Sequence, residues 1–415
     1  MKEIKKWVVP LIGALFFFYG FLQTNLMSSL NSSLLEYFDI SASKAAILTT
    51  FFFISNILFI IPAGLLLDRF PIKILMAVNI LIAIAGTIIF ALSETIYLAA
   101  FGRFLSGIIM SFGLIICLKL ATLWLHNSKM ALAYSLIISI GMLGAVTSHT
   151  LVSFLVKIFG WQKAVFFVAT LGFIIGIILW FIVREPKSII KRTSTANISI
   201  LESLKIVIKQ KQNWFCGFFI CFMNVPLAIF GALYGISYLS DVYGITSVRA
   251  ASYTSMMFIG FLIGSPTLGA IFSIVKKKKN LMFFLSFLAL FSTSALIYIN
   301  SSISIVLYAL FFSIGFFSST QVLAYPIITK SNPLYVTGSA LSLSAFIILF
   351  FGYGVTLPVI GKLLDVFSNG DFINGIYKYS ATSYKKTFII LPFFEVLAIV
   401  MLFFIKLNPN QVESK

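Results

Sequence analysis

Ionisable residues deep inside the long apolar runs of this sequence are informative, because a charge is costly there. Arg103, His149 and Glu395 each lie within such a run. An ionisable group in apolar surroundings is retained for a function or as a hydrogen-bonded structural element. An arginine there can clamp a carboxylate or phosphate through two parallel hydrogen bonds. A histidine or a buried carboxylic acid can carry a proton.

Each of these three residues also has a second interpretation. Arg103 is either a substrate clamp or a structural arginine that bonds backbone carbonyls or reaches the membrane surface. His149 and Glu395 are candidates for proton coupling, and each also fits a packed, hydrogen-bonded residue between helices. The sequence leaves these alternatives open.

Amide and phenol side chains within apolar runs form a second group, suited to binding a small polar solute. The predicted contacts of this kind are Tyr19, Gln23, Asn25, Asn224, Tyr234, Gln321 and Tyr353. Tyr19 and Gln23 are one helical turn apart and therefore share a face. The alternative is hydrogen bonding between helices, which contributes about 0.6–2 kcal/mol per bond in membranes.

A polar motif, Gly64-x-x-x-Asp68-Arg69-x-x-x-Lys73, follows the second apolar run. A carboxylate at a helix end pairs with a cation or with the N–H groups of another helix N-terminus. A contact of this kind can form in one conformation and break in another. We therefore predict that Gly64, Asp68, Arg69 and Lys73 form a gate, with an ordinary helix-end anchor as the alternative.

The composition of the chain indicates what kind of structure positions these residues. Of the 415 residues, 60% are hydrophobic and only 10% are charged, and the mean hydropathy is +1.06. Soluble domains are about half apolar and a quarter charged, so the bilayer is the solvent that fits. The net charge of +18 lies mostly in short gaps between apolar runs, which indicates membrane topology and lipid headgroups rather than nucleic acid.

Twelve apolar runs are long enough to span a bilayer as helices, which needs about 20 residues each. They are predicted at 8–35, 43–67, 72–92, 96–122, 130–156, 161–183, 213–238, 250–275, 281–299, 303–328, 337–361 and 386–405. The fold class is therefore an all-α integral membrane protein with two six-helix bundles. The predicted domains are an N-terminal bundle at 1–186, a cytoplasmic linker at 187–212 and a C-terminal bundle at 213–415.

The longest polar gap, 184–212, ends in a segment with helical periodicity. Ile200, Leu201, Leu204 and Ile208 fall on one face of a predicted helix. Such a segment is either an amphipathic helix on the membrane surface or a solvated connector. Lys and Arg are concentrated in this gap and in the others on the same side, which predicts that both termini are cytoplasmic in an inner (plasma) membrane.

Several motifs resemble the major facilitator superfamily over essentially the whole chain. The 64–73 motif resembles that family's loop between spans two and three, with Pro71 where the loop usually has glycine. Arg103-x-x-x-Gly107 resembles the motif of the family's fourth helix, and Gly160-Trp161 resembles the usual entry to span six.

The resemblance implies a carrier with one central cavity that opens alternately to either side of the membrane. Spans one, two, four, five, seven, eight, ten and eleven would line it, and the other four would pack outside. This arrangement puts Glu395 on the periphery and favours its structural interpretation.

The function predicted from these features is secondary active or facilitative transport of a small polar metabolite. A carboxylate-bearing solute such as an amino acid, peptide or organic acid is favoured if Arg103 faces the cavity. Protons are the default coupling ion, with facilitated diffusion left open. The alternatives are a drug or metabolite efflux antiporter and a solute-sensing transceptor; Gly141-x-x-Gly144-Ala145 lacks the proline of the family's antiporter signature.

We expect no enzymatic activity, no cofactor and no metal site, because neither a phosphate-binding loop nor a Cys/His cluster is present in the sequence. The expected partners are the substrate, protons and membrane lipids, and the chain is expected to act as a monomer.

Overall fold

The apolar runs form helices because a backbone in lipid must satisfy its own N–H and C=O groups. A computed structural model of the chain describes residues 2–40, 42–186, 199–299, 303–367, 372–373, 376–377 and 379–407. Within these ranges, twelve helical stretches are long and apolar enough to cross a membrane. This number confirms the prediction, and the stretches are referred to below as spans one to twelve.

Spans one to six contain mostly continuous helices. Their bounds are Lys2–Phe38, Ala42–Leu67, Ile72–Ala91, Ile96–Trp124, Met130–Phe159 and Trp161–Ile182. A short turn of 3₁₀-helix at Asn127–Lys129 leads into span five. Span five changes to a π-helix at Ser148–Val152 and continues as an α-helix over Ser153–Phe159.

A separate short helix, Ile200–Lys209, precedes span seven. The later helices are Lys211–Pro226, Gly235–Tyr243, Ser247–Ile274, Lys278–Tyr298, Ser304–Ser318, Tyr325–Ser331, Thr337–Ile347, Thr356–Phe367, Ala381–Phe388 and Ile390–Phe404. Two pairs of residues, Phe372–Ile373 and Ile376–Tyr377, form a minimal antiparallel hairpin between spans eleven and twelve. This hairpin lies outside the spans, so the membrane part remains all-helical as predicted.

Several spans of the second half are interrupted by tighter or wider helical turns. Span seven contains a π-helix at Leu227–Leu233, and span eleven contains another at Ile348–Val355. Span ten contains a 3₁₀-helix at Ser319–Ala324. A further 3₁₀ turn at Leu334–Val336 begins span eleven. Such irregular turns redirect side chains and often mark functional positions.

Small residues allow the spans to pack closely. Gly86 of span three faces Gly102 of span four, where an added Cβ would lie 2.6 Å from the opposite carbonyl oxygen in each direction. In lipid, helices associate through this kind of backbone proximity rather than through the hydrophobic effect. The contact holds span three against span four, which carries Arg103.

The chain divides into two compact units. The first comprises Met1–Lys209 with Asn332–Leu343, and the second comprises Gln210–Ser331 with Ser344–Lys415. The first unit thus contains spans one to six together with the beginning of span eleven. The domain boundaries proposed from the sequence, at 186/187 and 212/213, stay a prediction.

Candidate functional site

The carboxylate of Asp68 accepts four hydrogen bonds from three residues of the first unit. Lys119 Nζ lies 2.6 Å from Asp68 Oδ1, and each of these two side chains is only 4% exposed. The N–H groups of Gly338 and Ser339 donate to Oδ1 and Oδ2, each at 2.8 Å. The hydroxyl of Ser339 donates to Oδ2 at 2.7 Å. We call these four residues the Asp68 clamp.

The clamp combines the two partners predicted for a carboxylate at a helix end. Gly338 and Ser339 lie in the first turn of the helix that begins at Thr337, where N–H groups lack intrahelical acceptors. Their partial positive charge favours an anion at this position. The ammonium of Lys119 supplies a full positive charge and also donates to the carbonyl oxygen of Leu67 at 2.8 Å.

Gly64 makes this approach of helices sterically feasible. A Cβ added at Gly64 would collide with the side chain of Ser342 and would lie 2.8 Å from the carbonyl oxygen of Gly338. A Cβ added at Gly338 would lie 2.8 Å from Asp68 Oδ1. Both positions therefore require glycine for the contact seen here.

The other two residues of the predicted gate differ from Asp68 in their surroundings. The side chain of Arg69 is exposed, and the ammonium of Lys73 lies 4.2 Å from the centre of the Trp180 ring. The cation beside Asp68 is Lys119, which the sequence analysis did not single out. A signal was available, since Lys119 is a lysine within the apolar run of span four.

Arg103 is completely buried within the first unit. Its Nη2 donates to the backbone carbonyl oxygen of Gln23 at 3.0 Å. Its guanidinium carbon lies 4.5 Å from the centre of the Phe52 ring and 5.9 Å from that of Phe90. Among the described residues, no acceptor reaches its Nε or Nη1. Within the described part of the chain, two nitrogen atoms of this buried arginine therefore have no hydrogen-bond acceptor.

Gln23 and Tyr19 lie next to this arginine. Gln23 Nε2 donates to Tyr19 Oη at 2.9 Å and to Thr87 Oγ1 at 2.7 Å, and both Tyr19 and Gln23 are fully buried. The structure therefore brings three of the predicted substrate contacts, Tyr19, Gln23 and Arg103, into one cluster. Their donors and acceptors link spans one, three and four.

A second cluster forms in the second unit from three residues far apart in sequence. Asn224 Nδ2 donates to Gln321 Oε1 at 3.1 Å, and Tyr353 Oη donates to Asn224 Oδ1 at 3.1 Å. Gln321 Nε2 donates to the carbonyl oxygen of Ser318 at 3.1 Å. This Asn224 cluster (Asn224, Gln321 and Tyr353) joins spans seven, ten and eleven through neutral side chains only.

The remaining predicted contacts lie elsewhere. Asn25 bonds the carbonyl oxygen of Phe21 in its own helix at 2.8 Å. Tyr234 was expected inside span seven, but the π-helix ends at Leu233 and Tyr234 stands at the junction with the next helix. Its hydroxyl lies close to Gly361, where an added Cβ would be 3.1 Å away.

The two candidates for proton coupling occupy contrasting environments. The exposed His149 lies in the π-helix of span five, with Nδ1 3.1 Å from Ser28 Oγ. Glu395 is fully buried between spans nine and twelve, where its Oε1 accepts from Thr293 Oγ1 at 2.9 Å. Within the described part of the chain, Oε2 of Glu395 has no partner. In the same ranges, no three His, Cys, Asp or Glu side chains are grouped so as to hold a metal ion.

The family follows from a comparison with known proteins. The model of the Major Facilitator Superfamily matches residues 12–352, which include the Asp68 clamp, Arg103 and Asn224. The chain belongs to the Major Facilitator Superfamily. This is a family of membrane transporters and not of enzymes.

Two solved structures show the same fold as this superfamily member. One is the fucose:proton symporter of E. coli, 17% identical with a TM-score of 0.73 over 97% of this chain and 100% of that chain. The other is a Major Facilitator Superfamily transporter, FucP, in the outward conformation, 15% identical with a TM-score of 0.74 over the same shares. These identities support the fold alone.

A curated relative matches part of this superfamily member. It is "Uncharacterized transporter YybO" of Bacillus subtilis (strain 168), 28% identical over 165 residues. The match covers 40% of this chain and 38% of the relative, so the chain spans well under two thirds of that protein's length in the alignment.

Proposed function

We propose that this chain is a secondary carrier that moves a small polar solute across the membrane by alternating access. The observation that carries the proposal is the Asn224 cluster, in which three neutral side chains from different spans converge. An amide offers two N–H donors and an acceptor, so Asn224 and Gln321 retain capacity beyond the bonds they make here. A polar solute that replaces these mutual hydrogen bonds would find both donors and acceptors.

For the substrate class we propose a carboxylate-bearing metabolite such as an amino acid, a peptide or an organic acid. The supporting observation is Arg103, a buried cation whose Nε and Nη1 atoms have no hydrogen-bond acceptor among the described residues. A buried unpaired charge is unfavourable, and a carboxylate that approached it would supply the missing charge and acceptors. The neighbouring Gln23 and Tyr19 would then orient that carboxylate.

A hydroxyl-rich neutral solute is the second candidate. The Asn224 cluster favours it, because its three side chains carry no charge and amides and phenols match hydroxyl groups well. A solved protein of the same fold is a fucose:proton symporter, which makes a sugar a reasonable member of the test panel.

We further propose that protons are the coupling ion and that His149 exchanges them. Its imidazole is exposed and hydrogen-bonds to Ser28 of span one, and an imidazole can take up and release a proton near neutral pH. Glu395 has a single partner between spans nine and twelve, so we assign it a structural role. The Asp68 clamp is proposed as the gate on the side of the membrane that carries both termini, which we take to be the cytoplasmic side of the inner membrane.

Uptake into proteoliposomes tests these proposals. Labelled amino acids, dipeptides, organic acids, sugars and nucleosides would be offered with and without a pH gradient. The variants are Arg103→Met and Asn224→Ala, with Asn79→Ala as the matched control. Asn79 is a buried asparagine whose Nδ2 bonds only the carbonyl of Leu75 in its own helix among the described contacts. Gel filtration verifies that each variant is folded.

Saturable uptake of a carboxylate that Arg103→Met abolishes, while Asn79→Ala retains it, supports the carboxylate proposal. Uptake of a sugar or nucleoside that Asn224→Ala abolishes and Arg103→Met retains supports the second candidate instead. Movement of hydrophobic cations outward would favour the efflux alternative. If nothing moves while a solute raises the melting temperature, the carrier proposal is wrong and the transceptor alternative replaces it.

A further inference from the structure

The short helix Ile200–Lys209, here called the linker helix, has a well-defined start. Ser199 Oγ accepts from the N–H of Glu202 at 3.1 Å, and the N–H of Ser199 donates to Glu202 Oε2 at 2.9 Å. This reciprocal pair is a capping box, which satisfies two N–H groups at a helix start. The helix has ten residues and is too short to span a bilayer. Membrane spanning therefore does not explain why apolar side chains are exposed on it.

The exposed face of the linker helix is apolar on one side and basic on the other. Ser203 and Val207 are buried against the protein. Ile200 is 48% exposed, Leu201 78% and Ile208 52%. Because successive helical residues rotate by about 100°, these three share one stripe. The exposed Lys205 and Lys209 follow immediately beside that stripe.

The position of this helix in the chain keeps it at the membrane surface. Gln210 alone separates the end of the linker helix from Lys211, where the helix of span seven begins. One residue reaches at most about 3.6 Å. The linker helix therefore ends within a few ångströms of the start of a membrane span.

The linker helix also touches the segment that leads to the Asp68 clamp. It packs against the 3₁₀ turn Leu334–Val336 within the first unit. Gly338 and Ser339, two and three residues after this turn, donate their N–H groups to Asp68. A force that holds the linker helix in place therefore also restrains the backbone that the clamp binds.

We propose that the linker helix is a docking surface for anionic phospholipids and that this docking steadies the first turn of span eleven. The apolar stripe of Ile200, Leu201 and Ile208 enters the boundary between headgroups and acyl chains, and Lys205 and Lys209 contact the phosphates. Amphipathic helices with a basic flank bind membranes in this way. Each lysine near an anionic surface contributes roughly a fivefold gain in binding. An acidic soluble protein on the same lysines would not need the apolar stripe.

A fluorescent probe on the stripe tests the docking. Leu201→Cys, labelled with an environment-sensitive dye, is made in full-length protein whose buried Cys117, Cys216 and Cys221 are replaced. The protein is placed in nanodiscs of phosphatidylcholine alone or of two parts phosphatidylcholine to one part phosphatidylglycerol. We expect lipid-borne bromine to quench the dye, more strongly with phosphatidylglycerol, and aqueous iodide to reach it poorly.

The double substitution Lys205→Gln with Lys209→Gln should weaken the phosphatidylglycerol-dependent binding of the linker helix by about 25-fold. The readout is the difference in dye quenching between the two lipid compositions. The matched control is Lys157→Gln with Lys163→Gln, two exposed lysines beside the turn between spans five and six, on the opposite face of the membrane. Equal iodide quenching in both lipids, or an equal loss in the control, would overturn the docking site. A dye that is shielded only when cytosolic protein is added would show an acidic protein partner instead.

Hydrogen exchange on the same nanodiscs tests the link to span eleven. Phosphatidylglycerol should slow exchange over 199–209 and over 334–342 in the wild type, and Lys205→Gln with Lys209→Gln should remove both effects. Slower exchange over 199–209 alone would retain the lipid site and refute the link to the clamp.

Discussion

Replacement of Asp68 by asparagine removes the charge of the clamp while it keeps the shape of the side chain. The carboxylate of Asp68 accepts from Lys119, Gly338 and Ser339 in the structure. An asparagine has one acceptor oxygen, so its NH₂ group must face N–H donors on one side. Lys119, which is 4% exposed, would then face only neutral acceptors among its described contacts, the carbonyl oxygen of Leu67 and at most the new amide oxygen.

The magnitude follows from the burial of the pair. Removal of one partner from a buried ion pair costs roughly 3–5 kcal/mol, because the other charge stays desolvated. That cost applies to the clamped conformation, since water solvates Lys119 once the clamp opens. At about 1.4 kcal/mol per factor of ten, the population of the open clamp should rise between a hundredfold and a few thousandfold.

Alkylation of a buried cysteine measures this opening. Ser342 is 1% exposed and lies against Gly64, so the thiol in Ser342→Cys is reached only when the clamp opens. The native cysteines are replaced as above. We expect Asp68→Asn to accelerate alkylation by about a hundredfold or until it is limited by the reagent. The exposed neighbour Arg69→Gln serves as the control and should change the rate by no more than about fivefold.

A second substitution makes this reasoning refutable. Lys119→Met in the Asp68→Asn background removes the ammonium that has lost its carboxylate partner. It should slow alkylation of the Ser342→Cys thiol again by at least about tenfold. If Asp68→Asn leaves the alkylation rate within about twofold of the parent, the pair does not hold the clamp closed. If Lys119→Met gives no recovery, the loss comes from the helix N-terminus and not from the buried cation.

Three further predictions concern single positions. Gly64→Ala should open the clamp and accelerate alkylation of the Ser342→Cys thiol, because the added methyl group collides with Ser342 and Gly338. Gly354→Ala is the control and should not change the rate, because its new Cβ has its nearest neighbour at 3.5 Å. Equal rates in the two variants would refute the steric argument. Arg103→Met should keep the melting temperature of the purified protein while it abolishes carboxylate uptake, since an apolar side chain of similar length avoids the cost of burying a charge; a large fall in melting temperature would show a structural arginine. Glu395→Gln should retain both stability and the pH dependence of uptake, because an amide oxygen can accept from Thr293 as the carboxylate does; a lost pH response would show that this residue carries protons.

The spans themselves were predictable because hydrophobic length is a local property. The runs at 72–92 and 161–183 became helices at Ile72–Ala91 and Trp161–Ile182. Pro71 precedes the first of these and Gly160, with φ of 80°, precedes the second. Proline and glycine interrupt helices for local reasons, so the starts of these helices could be placed from the chain alone.

The interruptions within spans were not predictable in the same way. The run at 213–238 was expected as one span with a break near Pro226 and Gly231, but the break takes the form of a π-helix at Leu227–Leu233 and a new helix that starts at Gly235. An apolar pattern does not distinguish an α-turn from a π-turn, because both satisfy the backbone within the same run of apolar residues. This difference moved Tyr234 to a helix junction.

The sequence by itself determined the solvent of this protein, the number of its spans and the kinds of side chain available for chemistry. Only the tertiary structure decided which of them meet. Asp68 pairs with Lys119, which lies 51 residues later in the chain, Asn224 meets Gln321 and Tyr353, and Glu395 meets Thr293. The physical reason is that apolar length acts along the chain within about 20 residues, whereas a buried polar group bonds whichever donor or acceptor helix packing brings to it.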